Sequence, residues 1–303
     1  MLWITGLIVA IGVLAVAVLR LTTSGNARWA EATRTLLDRL EATRLRPTAS
    51  HYDVRELEGL PAPVQRYFRA VLKDGQRIIA AAMVEHTGTF NLSQTGEQWK
   101  PFTSQQRVVT RRPGFVWNGR IAVIPGISVH VHDAYLAGEG ILNPAVLGLF
   151  SLGYQHGNGE LARGELVRFF AEAAWYPTAL LPSQGVCWDA VTERSANATL
   201  EDGTLSVTML LIFNDAGLIE SARVDARGAI VGKMIVLTPW EGRFSNYQER
   251  NGMRVPFTAE ASWLSPQGRR PYWRGTITSL AYEFADDPGT RTISSADRRF
   301  PGQ

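Results

Sequence analysis

The chain has 303 residues, 45% of them hydrophobic, and a formal net charge of +3 at pH 7. That is enough apolar material for a substantial core, and the positive charge is too small and too dispersed for a nucleic-acid binder. A single cysteine, Cys187, excludes an internal disulfide and a Cys-rich metal site; within Val186-Cys187-Trp188 it reads as a buried, inert thiol.

Leu2 to Leu19 is an apolar run with no charge before Arg20. As a helix it rises ~27 Å, close to the ~30 Å of a bilayer's hydrocarbon core. The run predicts an uncleaved single-pass anchor, since no Lys or Arg precedes it and it is long for a signal peptide. The expected location is a bacterial inner membrane, with the bilayer as partner through residues 2–19. Arg20, Arg28, Arg34 and Arg39 all follow the run, and that bias favours a cytoplasmic domain.

Asn26 to Arg44 reads as an amphipathic helix with Trp29, Leu36, Leu37 and Leu40 on one side, ended by Pro47. A second helix is predicted from Pro61 to Leu72, where Val64, Tyr67, Phe68, Val71 and Leu72 share a face. The period then changes to two. Val84, His86, Gly88, Phe90 and Leu92 alternate with polar neighbours, as in a half-buried strand. Asn118-Gly119 between Phe115–Trp117 and Arg120–Ile124 predicts a hairpin turn. Ile127 to His132 is a further strand, and Pro144 to Ala174 reads as helical with a break near Gly153–Gly159. Beyond Asn197 comes a run of hairpins turning at Asp202-Gly203, Asn214–Gly217, Asn251-Gly252 and Pro266–Gly268. The pattern predicts an α+β, mainly β fold, in which a curved antiparallel sheet, a half-barrel, is covered by helices and preceded by a transmembrane helix. The expected division is an anchor over 1–21, a juxtamembrane helix and linker over 22–59, one β-rich domain over 60–285, and a polar tail over 286–303.

Three segments stand out: DAYLAGEG (Asp133 to Gly140), RFFAEAAWYPTALLP (Arg168 to Pro182) and PWEGRFSNYQERNGMRVP (Pro239 to Pro256), followed by YWRG at Tyr272 to Gly275. Together they resemble an uncharacterised bacterial family of membrane-anchored proteins with no assigned activity. The hairpin-rich C-terminal half also resembles the lipoprotein-carrier fold, in which a curved sheet wraps helices over an apolar cavity. That resemblance implies an envelope location, opposite to the charge bias.

Candidate site residues follow from chemistry. His130 and His132 project from one strand face and Asp133 follows, a spacing compatible with a divalent metal if His86, His156 or Glu172 adds a ligand; the plain alternative is a solvent-facing strand side. Glu172 lies one turn before Trp175-Tyr176-Pro177 in an apolar helix end, with Arg168 four residues earlier. It reads as an ion pair or as a buried acid-base carboxylate, with Asp133 as the second acid-base candidate. Trp175, Tyr176, Tyr135, Trp240 and His86 are the candidate lining of a cavity for a lipid or other apolar ligand. No nucleophile elbow, phosphate loop or His-Glu-x-x-His is present, and no cofactor is expected.

Overall fold

The computed structural model describes residues 2–93, 96–231 and 234–287; within 2–19, side chains are described only for Trp3, Thr5, Gly12 and Val16, and within 230–231 the backbone alone. Most of the expected tail, from 288 on, lies outside the described residues.

The first seven strands are β1 (Ile79–Asn91), β2 (Trp99–Val109), β3 (Gly114–Ile124), β4 (Ile127–Leu136), β5 (Glu139–Val146), β6 (Phe150–Ser151) and β7 (Gln155–Gly157). The last seven are β8 (Cys187–Thr192), β9 (Ser195–Asp202), β10 (Leu205–Phe213), β11 (Ile219–Val231), β12 (Met234–Arg250), β13 (Met253–Ser265) and β14 (Gly268–Phe284). The helices are α1 (Leu2–Ala42), α2 (Ala62–Val71) and α3 (Glu160–Glu172). All strands pair antiparallel in one 14-stranded sheet, ordered β6-β5-β4-β3-β2-β1-β14-β13-β12-β11-β10-β9-β8, with β7 beside β5. Each half is a meander, and the halves join where β1 pairs with β14.

The sheet is strongly curved. In that order β5 and β11 stand eight strand spacings apart, roughly 38 Å on a flat sheet at ~4.8 Å per strand. Yet α3 packs on both, and a helix is only about 10–12 Å across. The sheet therefore curls around α3 and has an inner and an outer face. α2 and the 3-10 turns over 173–184 fill one end of the interior, where Tyr67, Phe68, Tyr176 and Phe213 are fully or almost fully buried. The other end carries the turns from β3 to β4, β5 to β6 and β13 to β14, with the paired strand ends Asn91 and Trp99 of β1 and β2 and Val231 and Met234 of β11 and β12, and forms an open rim.

α1 lies on the outer face. Leu37 and Leu40 pack on Ala81, Val109, Val116 and Ala134, whose small or branched side chains leave room for the helix. Glu41 and Glu283 hold Arg107 at 2.8 and 2.7 Å, and Arg44 reaches Glu283 at 2.8 Å, fixing the helix end. Nearer the rim Trp29 donates to Asn118 at 2.9 Å. At Gly25 any Cβ would overlap the Leu147 carbonyl oxygen, so only glycine admits this approach to the β5–β6 turn. The helix continues without a break to Leu2 and ends at Ala42, before Pro47. Among the described residues no helix is long and apolar enough to cross a membrane; the expected span over Leu2 to Leu19 falls largely on side chains outside the described residues.

Several expectations are corrected. Asn118-Gly119 makes no turn and lies within β3. Pro144 belongs to β5, where it stands opposite Val131, and the helix expected from there begins only at Glu160. Cys187 is exposed, because its neighbours Val186 and Trp188 take the inward positions of an edge strand.

The strand side that carries His130 and His132 does not face solvent. Both lie buried under α1: His132 stacks on Trp29 at 3.8 Å and shares a 2.7 Å hydrogen bond with Thr33, while His130 meets the Trp29 edge at 5.4 Å. Asp133, next in sequence, points to the opposite face of the sheet, where it meets Arg168. No group of three metal-ligating side chains occurs among the described residues. Burial pushes His130 down to about 4, helped by Arg120, and His132 down to about 3, helped by His130. Both are neutral when folded and charge on unfolding below their ordinary 6.5, so stability is full above pH 6.5 and is lost as pH falls toward 4. Each supplies a slope of up to about 1.4 kcal/mol per pH unit in that window. His132→Gln should remove one such share, measured by denaturant unfolding from neutral pH to pH 4; an unchanged slope would contradict the buried neutral imidazole.

Candidate functional site

Between α3 and the inner face, on the rim side, lies a cavity of about 1180 Å³. That exceeds the roughly 300–1,000 Å³ of ordinary small-molecule pockets. Its walls are mainly apolar, with Trp117, Trp175, Trp240, Trp263, Trp273 and Phe90 around it.

Three tryptophans share one device. In Trp117-Asn118-Gly119, Trp240-Glu241-Gly242 and Trp273-Arg274-Gly275, tryptophan and glycine occupy alternate positions of one strand and so face the same way. The indole folds along the strand over the glycine: a Cβ on Gly119 or Gly275 would overlap the ring, and one on Gly242 would stand 3.0 Å from it. The rings therefore line the wall as flat tiles and leave the interior free. This explains why Asn118-Gly119 does not turn.

One wall is polar and belongs mostly to α3. Leu161, Glu165, Arg168 and Glu172 follow the spacing of one helix face and all line the cavity. Arg168 binds Glu172 at 2.8 Å, Asp133 of β4 at 2.5 Å and, at 3.4 Å, the Gln106 side chain of β2. Its guanidinium also lies over Phe115 and Trp117, at 4.9 and 5.1 Å from the ring centres. Arg227 of β11 donates to the Gly164 carbonyl and to the Tyr272 hydroxyl, each at 3.0 Å, and stands 3.8 Å from Glu165. Trp240 donates to the same hydroxyl at 3.0 Å.

Glu165 is the unusual member. Burial and the neighbouring Asp133 raise its carboxyl well above the ordinary range, against the pull of Arg227 and Arg168. Glu165 Oε2 and Asp133 Oδ1 are both buried without a hydrogen-bond donor. A proton on Glu165, donated to Asp133, satisfies both oxygens and balances the three carboxyls of the cluster against its two guanidiniums. The indole N–H groups of Trp117 and Trp175 are also buried without a partner in the same walls.

The sequence-predicted residues divide accordingly. Asp133, Glu172, Trp175 and Trp240 come together in the cavity wall. Tyr135 and Tyr176 do not reach it: they sit in the filled end, with hydroxyls donated to Asp202 and to the Phe169 carbonyl, each at 2.7 Å. His86 is buried behind the wall, 4.7 Å from Trp175 and 5.7 Å from Trp273 by ring centres, and burial with Arg168 nearby pushes it down to about 3. Glu172 and Asp133, expected as acid-base groups, are both engaged by Arg168; the carboxyl that burial pushes upward is Glu165. Sequence reasoning missed Glu165, Gln106 and Arg227. The visible signal was that Glu165 falls between Leu161 and Arg168 on one helix face.

The cluster predicts a pH dependence. Glu165 stays protonated when folded but ionises near 4.5 when unfolded, so stability is full below pH 4.5 and falls as pH rises through the raised folded value. Glu165→Gln, always neutral and still able to donate to Asp133, should be more stable than the parent at alkaline pH and lack this slope in denaturant titrations. A parallel decline in both proteins would contradict the shared proton.

Residues 58–282 match a family described as a family of unknown function, DUF6920. No curated protein matches the sequence. Among solved structures the chain is similar to a LolA superfamily protein from Nitrosomonas europaea, at 11% identity and a TM-score of 0.32, over 73% of this chain and 92% of that one. It is also similar to a beta-barrel-like protein of the DUF1849 domain of unknown function from Brucella abortus, at 10% identity and a TM-score of 0.21, over 68% of this chain and 99% of that one. The matched span contains all the segments that carried the family resemblance, and the chain belongs to DUF6920, a family of unknown function.

Proposed function

We propose that the protein is a membrane-anchored carrier or receptor that holds one long-chain amphiphile inside its curved sheet. The observation that carries this reading is the cavity of about 1180 Å³, tiled by tryptophans that fold over glycines rather than fill the space. Apolar walls offer burial to an alkyl chain, at about 25 cal/mol per Å² removed from water. The polar wall, with Glu165, Arg168 and Glu172 in the lining, offers hydrogen-bonding groups to a polar end. Such a site suits an amphiphile better than a plain hydrocarbon.

The uncharged run from Leu2 to Leu19 supports a single-pass anchor in a bacterial inner membrane. Tethering would raise the local concentration of a membrane-derived ligand, so modest affinity suffices.

A fluorescent apolar probe, N-phenyl-1-naphthylamine, should bind the full chain in detergent with a blue-shifted emission and be displaced by long-chain amphiphiles. Gly119→Val should push the Trp117 indole into the cavity and weaken binding by about tenfold or more, equivalent to at least ~1.4 kcal/mol. Leu142→Trp, which fills the cavity from β5, two strands away on the same wall, without straining β3, should do the same. Undiminished probe binding in both folded variants would overturn the reading.

A further inference from the structure

We propose that the open rim of the cavity is a docking surface for the lipid bilayer, held at headgroup level by α1, so that the ligand passes directly between membrane and cavity. This rests on the anchor and cavity readings above.

The first support is the path of α1. Followed from its C-terminus, its contacts move steadily toward the rim: Leu40 at Gly114, Thr33 and Trp29 at His132 and Asn118, then Gly25 at Leu147 and Leu149 of the β5–β6 turn. The helix thus reaches the rim at Gly25 and continues unbroken to Leu2. Everything before Gly25 projects past the open end of the sheet.

Distance gives the second support. Leu19, the inner end of the apolar run, lies six residues from Gly25, about 9 Å along the helix. The headgroup layer on each side of a bilayer is about 5–8 Å thick. An upright or modestly tilted helix therefore sets the rim at the headgroups.

The third support is the chemistry of the rim. Ile124, Phe150, Leu152, Tyr154, Met234 and Leu237 are all exposed there, with Phe150 at 58%, Leu152 at 61% and Met234 at 67%. Ile124 ends β3, Phe150, Leu152 and Tyr154 follow the β5–β6 turn along the free edge of β5, and Met234 and Leu237 lie in the first residues of β12. The β11–β12 ribbon runs on past its neighbour, since β12 pairs with β13 only from Trp240 onward. Scattered exposed apolar residues mean little, but a ring at one end marks a contact surface. The partner is a bilayer rather than a protein because the helix leaving the same end carries, beyond Arg20, the uncharged run Leu2 to Leu19. The arrangement also fits the cavity's polarity. Gln106, Asp133 and Trp117 lie toward the inner ends of their strands, away from the rim. A lipid presents its headgroup to a docked protein, so head-first entry brings its polar end to Glu165, Arg168 and Glu172.

The test uses the full chain with Cys187→Ser, reconstituted in vesicles of phosphatidylethanolamine and phosphatidylglycerol containing a headgroup-level spin-labelled lipid. Fluorophores are attached at Leu152→Cys and Met234→Cys on the rim, at Arg254→Cys at the far end of the sheet, and at Val16→Cys on the anchor. The rim labels should be quenched severalfold more than the Arg254 label, and Phe150→Asp with Leu152→Asp should relieve quenching at Met234→Cys while leaving the thermal midpoint unchanged. Rim labels quenched no more than the Arg254 label overturn the proposal. If the Val16 label is still quenched, the anchor stands and only docking fails; if it is not, the anchor reading fails as well. Rim labels shielded from lipid by self-association, seen as a dimer in detergent, also overturn it.

Discussion

Ile79 of β1 stands opposite Phe284 of β14, and the two strands remain paired as far as Phe90 and Trp273. Because the first and last strands meet in the middle of the sheet, the chain ends its first meander at one edge and must begin the second at the other. The connection over residues 158–186 has to cross the interior. It does so as α3 and the 3-10 turns, and the sheet curls to bury them. The filled end and the open cavity both follow from that crossing: the turns and α2 occupy one end, and one helix is too slender to occupy the other.

A helix that crosses an interior is enclosed on several sides, and α3 buries Ala162, Leu166, Val167, Phe169 and Phe170 around most of its circumference. Its remaining face carries three ionisable groups, Glu165, Arg168 and Glu172, into a place of low polarity. Burying an unpaired charge costs several kcal/mol, so the cluster is stable only if balanced. Arg168 neutralises Asp133 and Glu172, Arg227 faces Glu165, and the retained proton on Glu165 closes the account. Aromatic faces beneath both guanidiniums add cation–π attraction at little conformational cost. The same cluster gives the cavity a polar end and an apolar end, a division matched to an amphiphile.

Much of the fold could be read from local pattern. Strands with one polar and one apolar side, such as Val84 to Phe90, announce themselves, and Asn251-Gly252 turns as its chemistry demands, with both residues at positive φ. The failures share one cause: local signals were overruled by neighbours distant in sequence. Asn118-Gly119 offers turn chemistry, but Gly119 is needed beneath Trp117 and Asn118 receives Trp29 from α1, 89 residues away. His130 and His132 look like exposed ligands until a helix from another part of the chain covers them. Pro144 and its neighbours read as helical, yet β4 recruits them as a strand. In the site, Trp175, Trp240, Asp133 and Glu172 could be singled out by composition. Glu165 could not, since its importance depends on Asp133 arriving from β4. The thrice-repeated Trp-x-Gly was visible but has no meaning until the three strands are seen around one cavity.

The central claim is that the interior holds an amphiphile rather than standing as an inert hollow. Native mass spectrometry of the full chain, extracted from its own membranes in mild detergent, tests this directly. The account predicts a discrete adduct of lipid mass, one per chain, lost on denaturation and identifiable as a molecule with a long alkyl chain and a polar head. A clean protein mass, with no adduct gained when long-chain amphiphiles are added, would contradict it.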